Sequence, residues 1–185
     1  PRRAGLALLL AALAFLLPPP APSEEAAPKE AKPAKAPKAT VHAAFGGDCE
    51  KAVIEEIGKA EKEVLVAIYS FTRRNISAAL VSASDRGVRV EIKYDVSSHR
   101  ELDEMRGIIN FMVFKKKMRC IPVIMTEENA RMHHKFVVID DKTVVTGSYN
   151  FTTMATKTNY ENLVVIDSAA VAAEFKEEYT RIQNR

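Results

Sequence analysis

Residues 132–140 read MHHKFVVID and residues 143–150 read TVVTGSYN, so two apolar runs lie on either side of a short polar turn. Both runs are short and rich in β-branched residues, which predicts two strands joined in a hairpin. Side chains two residues apart in a strand share a face, so His133 and Lys135 point to the same side. The hairpin therefore carries polar groups on an otherwise apolar element.

The length of the turn decides which polar side chains of the hairpin meet. A two-residue loop at 141–142 places Lys135 opposite Ser148. The same register places His133 opposite Asn150, so that all four side chains share one face. A three-residue loop shifts the register by one residue and distributes the four over both faces. The sequence leaves both registers open, and the first is the one that gathers the polar groups.

These four side chains suit a phosphodiester. Lys135 offers a positive charge, while Ser148 and Asn150 can donate hydrogen bonds to the non-bridging oxygens of a phosphate. His133 can attack phosphorus as a covalent nucleophile. Its second ring nitrogen then needs an acceptor that fixes the tautomer, and Glu161 is the candidate for that role. The predicted catalytic residues are His133, Lys135 and Glu161, and the predicted phosphate-binding residues are Lys135, Ser148 and Asn150.

Asp140 and Gly147 are expected to have structural roles. Asp140 has the opposite parity to His133 and lies at the end of the hairpin, where its carboxylate can shape the turn or pair with a neighbour. Gly147 opens the G-S-x-N segment. The reactive residues do not resemble the carboxylate and water ligands of a metal ion, so we expect neither a metal nor a cofactor.

Strand-like and helix-like patterns alternate from residue 40 to the end of the chain. We predict strands at 40–45, 64–69, 88–94, 119–125, 136–139, 143–146 and 162–166, and helices at 48–61, 75–86, 101–117 and 169–182. Such alternation is typical of an α/β domain with helices on both faces of a sheet. Apolar runs such as LVAI and FVVI suit strands that are buried on both sides. The expected fold is a mixed, largely parallel β-sheet sandwiched by helices.

The first 38 residues differ in composition from the rest. Residues 1–23 carry two arginines, an apolar run and then three prolines, which is the pattern of a secretory signal peptide. Residues 24–38 consist almost entirely of Ala, Pro, Lys and Glu, which predicts a linker. Residues 39–185 would then form the catalytic domain. A cleaved signal implies a secreted or periplasmic protein; the alternative is an uncleaved membrane anchor, although the apolar run is shorter than the ~20 residues that span a bilayer.

The net charge and the cysteine content say little about the function. The formal net charge of +3 is compatible with a polyanionic substrate, but four of the lysines lie in the linker. Cys49 and Cys120 could form a disulfide in an oxidising compartment, and the sequence does not show whether they are close. Neither belongs to a C-x-x-C pair, which argues against a structural zinc site.

The pattern H-x-K-x-x-x-x-D at 133–140, followed by G-S-x-N at 147–150, resembles the signature of the phospholipase D superfamily. The segment AIYSFT at 67–72 resembles its small single-motif nucleases, such as the bacterial endonuclease Nuc. The run MHHKF at 132–136 is also similar to mitochondrial cardiolipin hydrolases, whose zinc-finger insertion is missing here. The resemblance extends over residues 40–185. It implies a metal-independent phosphodiesterase with a phosphohistidine intermediate.

Members of this family use two histidines, one as the nucleophile and one as the general acid. This chain carries one motif, because His42 and His99 lack a lysine at the required spacing. The resemblance therefore implies a homodimer in which His133 of each subunit completes a shared active site. The leading hypothesis is a non-specific endonuclease acting on DNA or RNA. The alternatives are a phospholipase D acting on phospholipid head groups and a catalytically weak module that binds nucleic acid.

Two further features allow two interpretations each. Tyr69 and Phe71 follow an apolar strand and either line the cleft, where they could stack on bases, or pack in the core. The apolar segment 108–114 either contacts lipid or faces the core of the domain, and we expect the second.

Overall fold

The computed structural model describes residues 39–96, 102–115 and 118–185. The predicted signal peptide and linker, together with His99, lie outside the described residues and stay predictions. Within the described part of the chain, no helix is long and apolar enough to cross a membrane.

Strands and helices alternate along the described chain. The strands are β1 (Thr40–Phe45), β2 (Glu63–Ile68), β3 (Arg89–Asp95), β4 (Arg119–Val123), β5 (Lys135–Ile139), β6 (Thr143–Gly147) and β7 (Asn162–Asp167). The helices are α1 (Asp48–Lys59), α2 (Arg74–Asp85), α3 (Leu102–Asn110), α4 (Thr153–Lys157) and α5 (Ala169–Arg181), and a π-helical turn, Phe111–Lys115, continues α3. The sequence pattern predicted all of these except α4, and the helix expected over 101–117 corresponds to α3 and the π-helical turn that continues it.

The seven strands form one sheet in the order β1-β7-β6-β5-β2-β3-β4. β2 pairs in parallel with β3, and β3 with β4, whereas the other four neighbouring pairs are antiparallel. The prediction of a largely parallel sheet was wrong, because parallel neighbours need a crossover of about a dozen or more residues. Helices α2 and α3 provide such crossovers, but β5 and β6 are joined by a tight turn. The sheet is therefore mixed and mostly antiparallel.

The sheet separates two hydrophobic clusters, so helices cover both of its faces as predicted. One cluster lies under α1, α2 and α3 and includes Val66 and Val137 of the central strands. The other lies under α5 and includes their neighbours Leu65 and Phe136. β2 and β5 are buried on both faces although they pair antiparallel with each other. A continuous apolar run thus indicates that a strand is buried on both faces. It does not indicate whether the strand is parallel or antiparallel to its neighbours.

The turn between β5 and β6 contains three residues. Ile139 pairs with Thr143, and Lys142 donates its backbone N–H to the carbonyl oxygen of Ile139 (3.0 Å). Asp140 and Asp141 both adopt left-handed backbone conformations, with φ of 52° and 55°. Of the two registers that the sequence left open, the structure therefore has the three-residue one, which does not gather the four polar side chains on one face.

The carboxylate of Asp140 explains why the turn begins at Asp140 and not at Asp141. It accepts hydrogen bonds from the backbone N–H groups of Glu61 (2.9 Å), Lys62 (2.8 Å) and Glu63 (2.8 Å). The side chain thus ties the end of the hairpin to the start of β2, and aspartate tolerates the left-handed conformation better than most residues. This contact is structural, which is the kind of role expected for Asp140.

The structure answers two questions that the sequence left open. Cys49 in α1 and Cys120 in β4 are both free thiols. In the segment 108–114, Ile108 and Met112 are buried in the core, as expected for a helix that faces the domain, whereas Phe114 is exposed.

Candidate active site

The polar residues of the hairpin lie at the edge of the sheet where β2 and β6 end and β5 begins. Beyond these ends, the segments that leave β2 and β6 pair with each other. Phe71 and Phe151 form a parallel bridge, and the N–H of Phe151 donates to the carbonyl oxygen of Ser70 (3.1 Å). Tyr69 donates its N–H to the carbonyl oxygen of His134 (2.9 Å), just before β5. The site is therefore built at converging strand ends and not on the face of the hairpin.

His133 and Lys135 are in direct contact, as their spacing predicts. The Nζ atom of Lys135 lies 3.2 Å from Nδ1 of His133 and 3.4 Å from Nε2, and it donates to the His133 carbonyl oxygen (2.8 Å). The ring of Tyr69 lies against both residues. Its centroid is 4.6 Å from the centroid of the His133 ring and 5.2 Å from Lys135 Nζ. An imidazole is thus held against an ammonium group.

The surroundings of the pair favour the uncharged imidazole. Partial burial lowers the pKa of His133, and the positive charge of Lys135 lowers it further, against the opposing charge of Asp95. Partial burial also lowers the pKa of Lys135, while the negative charge of Glu161 raises it. Because its pKa is lowered, His133 keeps a free lone pair further into the acid range, which a nucleophile requires.

Ser148 and Glu161 form the other side of the site. The Ser148 hydroxyl donates a hydrogen bond to Oε2 of Glu161, and Asn159 Nδ2 donates to Oε1 (3.0 Å). Among the described residues, the Glu161 carboxylate is therefore bonded to Ser148 and Asn159 and not to His133. It acts on the reactive pair through its charge, which is felt by Lys135. The role expected for Glu161, as the acceptor that orients His133, stays a prediction.

Asn150 and Gly147 belong to the same G-S-x-N segment. The Oδ1 atom of Asn150 is buried and has no hydrogen-bond partner within the described part of the chain. This oxygen is an acceptor, so only the amide nitrogen of Asn150 could donate to a phosphate. A Cβ atom at Gly147 would lie 2.2 Å from the carbonyl oxygen of Asn162 and 2.8 Å from Cα of Leu163. A residue without a side chain is needed here for β6 to approach β7, which fits a structural role.

The sequence did not single out Asp95, which lies at the end of β3 and is fully buried. Its Oδ2 atom accepts the backbone N–H of Met132 (2.7 Å), and its charge opposes the lowering of the His133 pKa. The available signal was its position, because ligand sites in α/β sheets lie at the carboxyl ends of parallel strands. Of the two aromatic residues with open roles, Tyr69 lines the site and Phe71 packs in the core.

Two other histidines are separate from His133. His134 packs against Phe136 on the opposite face, and its Nε2 lies 3.1 Å from Oε1 of Glu178. His42 lies in β1, three strands from β5 and so ~14 Å away at the usual strand spacing. Across residues 39–96, 102–115 and 118–185, no group of His, Cys, Asp and Glu side chains is arranged to hold a metal ion.

Together, an imidazole with a lowered pKa, an ammonium group, a hydroxyl and a carboxamide suit an anionic ester. A family model described as "Cardiolipin synthase, PLD-like domain" matches residues 53–183. A phospholipase D of Rickettsia conorii is 32% identical over 128 residues, which cover 69% of this chain and 60% of that protein. The chain therefore belongs to the phospholipase D superfamily of phosphodiesterases.

Further similar proteins agree with this family. A mitochondrial cardiolipin hydrolase of Xenopus tropicalis is 27% identical over 128 residues, which cover 67% of this chain and 56% of that protein. The structure of Nuc, a phospholipase D family member from Salmonella typhimurium, superimposes with a TM-score of 0.70 at 29% identity, over 80% of this chain and 97% of Nuc. The chain thus spans 60% or less of these two curated relatives but nearly all of Nuc.

Proposed function

We propose that this protein hydrolyses phosphodiesters without a metal ion, through a phosphohistidine at His133, and that its substrate is the backbone of DNA or RNA. The observation that carries the proposal is the 3.2 Å contact between the His133 ring and the Lys135 ammonium, in surroundings that lower the His133 pKa. A neutral imidazole can attack phosphorus, and an ammonium group can neutralise a non-bridging oxygen.

The reaction proceeds in two steps. A ring nitrogen of His133 bonds to phosphorus while the bond between phosphorus and the leaving oxygen breaks, and that oxygen takes a proton from a general acid. Water then bonds to phosphorus and gives a proton to the same group, while the nitrogen–phosphorus bond breaks. Lys135 and the Asn150 amide group bind the phosphoryl oxygens in both steps, and Ser148 joins them when its hydroxyl turns from Glu161 to the substrate. The products are an alcohol and a phosphate monoester, and the imidazole is regenerated.

The general acid comes from a second copy of the chain. In the same chain, the His134 ring is bonded to Glu178 on the opposite face, and His42 lies three strands away, so neither is placed to act with the His133 ring on one phosphate. A two-fold axis beside the site would bring the two His133 side chains together, so that one attacks while the other donates the proton. These observations support a homodimer with a shared active site.

Nucleic acid is the leading substrate because the sequence resembles the single-motif nucleases. The surface beside Glu161 supports this choice: Tyr160 is fully exposed, and such a ring can stack on a base. Phospholipid is the alternative, since the curated relatives are named phospholipase D and mitochondrial cardiolipin hydrolase. The chemistry at phosphorus is the same for both substrates.

A panel of substrates in excess EDTA tests the proposal. The chain is incubated with plasmid DNA, single-stranded DNA, RNA, and vesicles of phosphatidylcholine or cardiolipin. We expect cleavage of nucleic acid at the same rate with and without EDTA. Release of head groups without cleavage of nucleic acid would support a phospholipase D. Binding of nucleic acid without turnover would support a nucleic-acid-binding module. Cleavage that stops in EDTA would contradict the metal-independent mechanism, and full activity in a monomer by sedimentation velocity would contradict the shared site.

A further inference from the structure

A small cavity of about 110 Å³ opens beside His133 and is strongly basic. Three arginines line it, Arg131, Arg181 and Arg185, and Glu178 is the one acidic residue among the lining side chains that the structure describes. His133, which we assign as the nucleophile, and its neighbour His134 both line this cavity, which we call the arginine recess.

Arg131 and Arg185 offer their charges to the recess without a carboxylate partner among the described residues. The Arg131 guanidinium donates to the carbonyl oxygen of Ala130 (2.6 Å), a neutral acceptor. Arg185 is held through its backbone, whose N–H donates to the carbonyl oxygen of Ile124 (3.0 Å). Both side chains are exposed, and neither guanidinium is ion-paired with a side-chain carboxylate in the described part of the chain.

The other charged groups of the recess largely balance one another. Arg181 forms ion pairs with Glu177 and Glu178, and the Glu178 carboxylate also lies 3.1 Å from His134 Nε2. A pair that is already satisfied has little charge left for a ligand. Arg131 and Arg185, which have no side-chain carboxylate partner among the described residues, therefore make the recess positively charged.

The carbonyl end of α5 lies at the same place and would ordinarily repel an anion. Here the ammonium group of Lys93 donates to the carbonyl oxygens of Tyr179 and Ile182, both at 2.8 Å. This contact satisfies two carbonyl groups at the helix end and adds a positive charge behind them. The end of the helix is thereby made compatible with an anionic ligand.

We propose that the arginine recess binds the phosphate next to the scissile one on a polynucleotide, through Arg131 and Arg185. Consecutive phosphates of a strand are separated by one sugar, so a recess that is lined by His133 lies within reach of the phosphate next to the scissile one. On the side of α5 beyond His134 the surface carries Glu174, which would repel a polyanion. The inference rests on the proposed function and adds to it the path of the strand.

The test compares a substrate that has neighbouring phosphates with one that has a single phosphodiester. The wild-type chain and the double variant Arg131→Gln/Arg185→Gln are assayed on a single-stranded oligonucleotide and on bis(4-nitrophenyl) phosphate. The ratio of kcat/KM for the oligonucleotide to kcat/KM for the small diester should fall about tenfold or more, because charge-assisted hydrogen bonds are lost. The slope of log(kcat/KM) against log salt should become shallower by roughly 0.7 per lost contact.

Arg106→Gln is the matched control. Arg106 is an exposed arginine of α3 that lies 3.6 Å from Asp103 and does not line the recess, so its removal should leave the ratio unchanged. An unchanged ratio in the double variant would overturn the proposal. Equal losses on both substrates would also overturn it, because they would assign the arginines to the fold or to the reactive site.

Binding separates the failure of this inference from the failure of the proposed function. Fluorescence anisotropy of the oligonucleotide with His133→Ala needs no turnover. Adding the two arginine substitutions to that background should weaken binding about tenfold at low salt, and the Arg→Lys versions should keep the salt slope. If the wild type cleaves neither substrate, the proposed function fails. The binding result still shows whether the arginine recess binds nucleic acid.

Discussion

Substitution of His133 by alanine should lower kcat/KM for phosphodiester cleavage by a factor on the order of 10⁴ or more. The variant removes the atom that bonds to phosphorus, and the described residues place no other histidine beside Lys135. In a shared-site dimer the same substitution also removes the general acid, since each subunit supplies both roles. Initial rates of oligonucleotide cleavage in EDTA measure the loss.

The control for this variant is His42→Ala, an exposed histidine of β1 that should be dispensable for cleavage. Circular dichroism and urea unfolding establish that both variants keep the wild-type fold. If folded His133→Ala retains most of the wild-type rate, the chemistry must be assigned to a different residue.

Substitution of Asp140 by alanine should lower the free energy of unfolding by about 2–4 kcal/mol. The variant removes the acceptor of three backbone N–H groups at the start of β2. A hydrogen bond to a charged acceptor contributes about 1.5–3 kcal/mol, but water can replace the carboxylate at Glu61 and Lys62, which keeps the total below the sum. Alanine must also adopt the left-handed φ of 52°, at a cost of about 1 kcal/mol. The midpoint of urea unfolding measures the change.

Asp141→Ala is the matched control because Asp141 has a φ of 55° but bonds to Lys176 (2.6 Å) and not to the strand. It should lose about 1 kcal/mol from the backbone conformation and a surface ion pair. Equal losses in the two variants would show that the contacts to β2 contribute nothing. Below its melting temperature, Asp140→Ala should also keep its kcat, and a folded but inactive variant would contradict the structural role.

The parts of the site that the sequence predicted are those that depend on local geometry. His133 and Lys135 touch because side chains two residues apart point the same way in extended backbone. Ser148 was predicted as a site residue from the two-residue register, which the structure does not have, and from the family pattern; Glu161 was predicted from its residue type and its position before β7. Their mutual hydrogen bond was not predicted, because it depends on how the loop before β7, with Asn159, is placed against the end of β6.

The features that the sequence left open or mispredicted have a common cause, which is dependence on distant parts of the chain. The hairpin register is decided by the Asp140 carboxylate, whose partners lie 77 to 79 residues earlier in the chain. The strand directions depend on the connections, and the apolar runs of β2 and β5 report only that both faces are covered. Asp95 was missed because a single aspartate at the end of a strand is common. Its role is visible only in the folded chain, where its carboxylate accepts the backbone N–H of Met132.

The central claim is that His133 becomes covalently bonded to phosphorus during turnover. Rapid-quench mixing of the chain with excess oligonucleotide in EDTA, followed by alkaline quenching and mass spectrometry of the digested protein, tests this directly. We expect a phosphorus adduct on the peptide that contains His133, formed at least as fast as kcat and missing from His133→Ala. Turnover with no adduct at His133, or with an adduct on another residue, would contradict the claim.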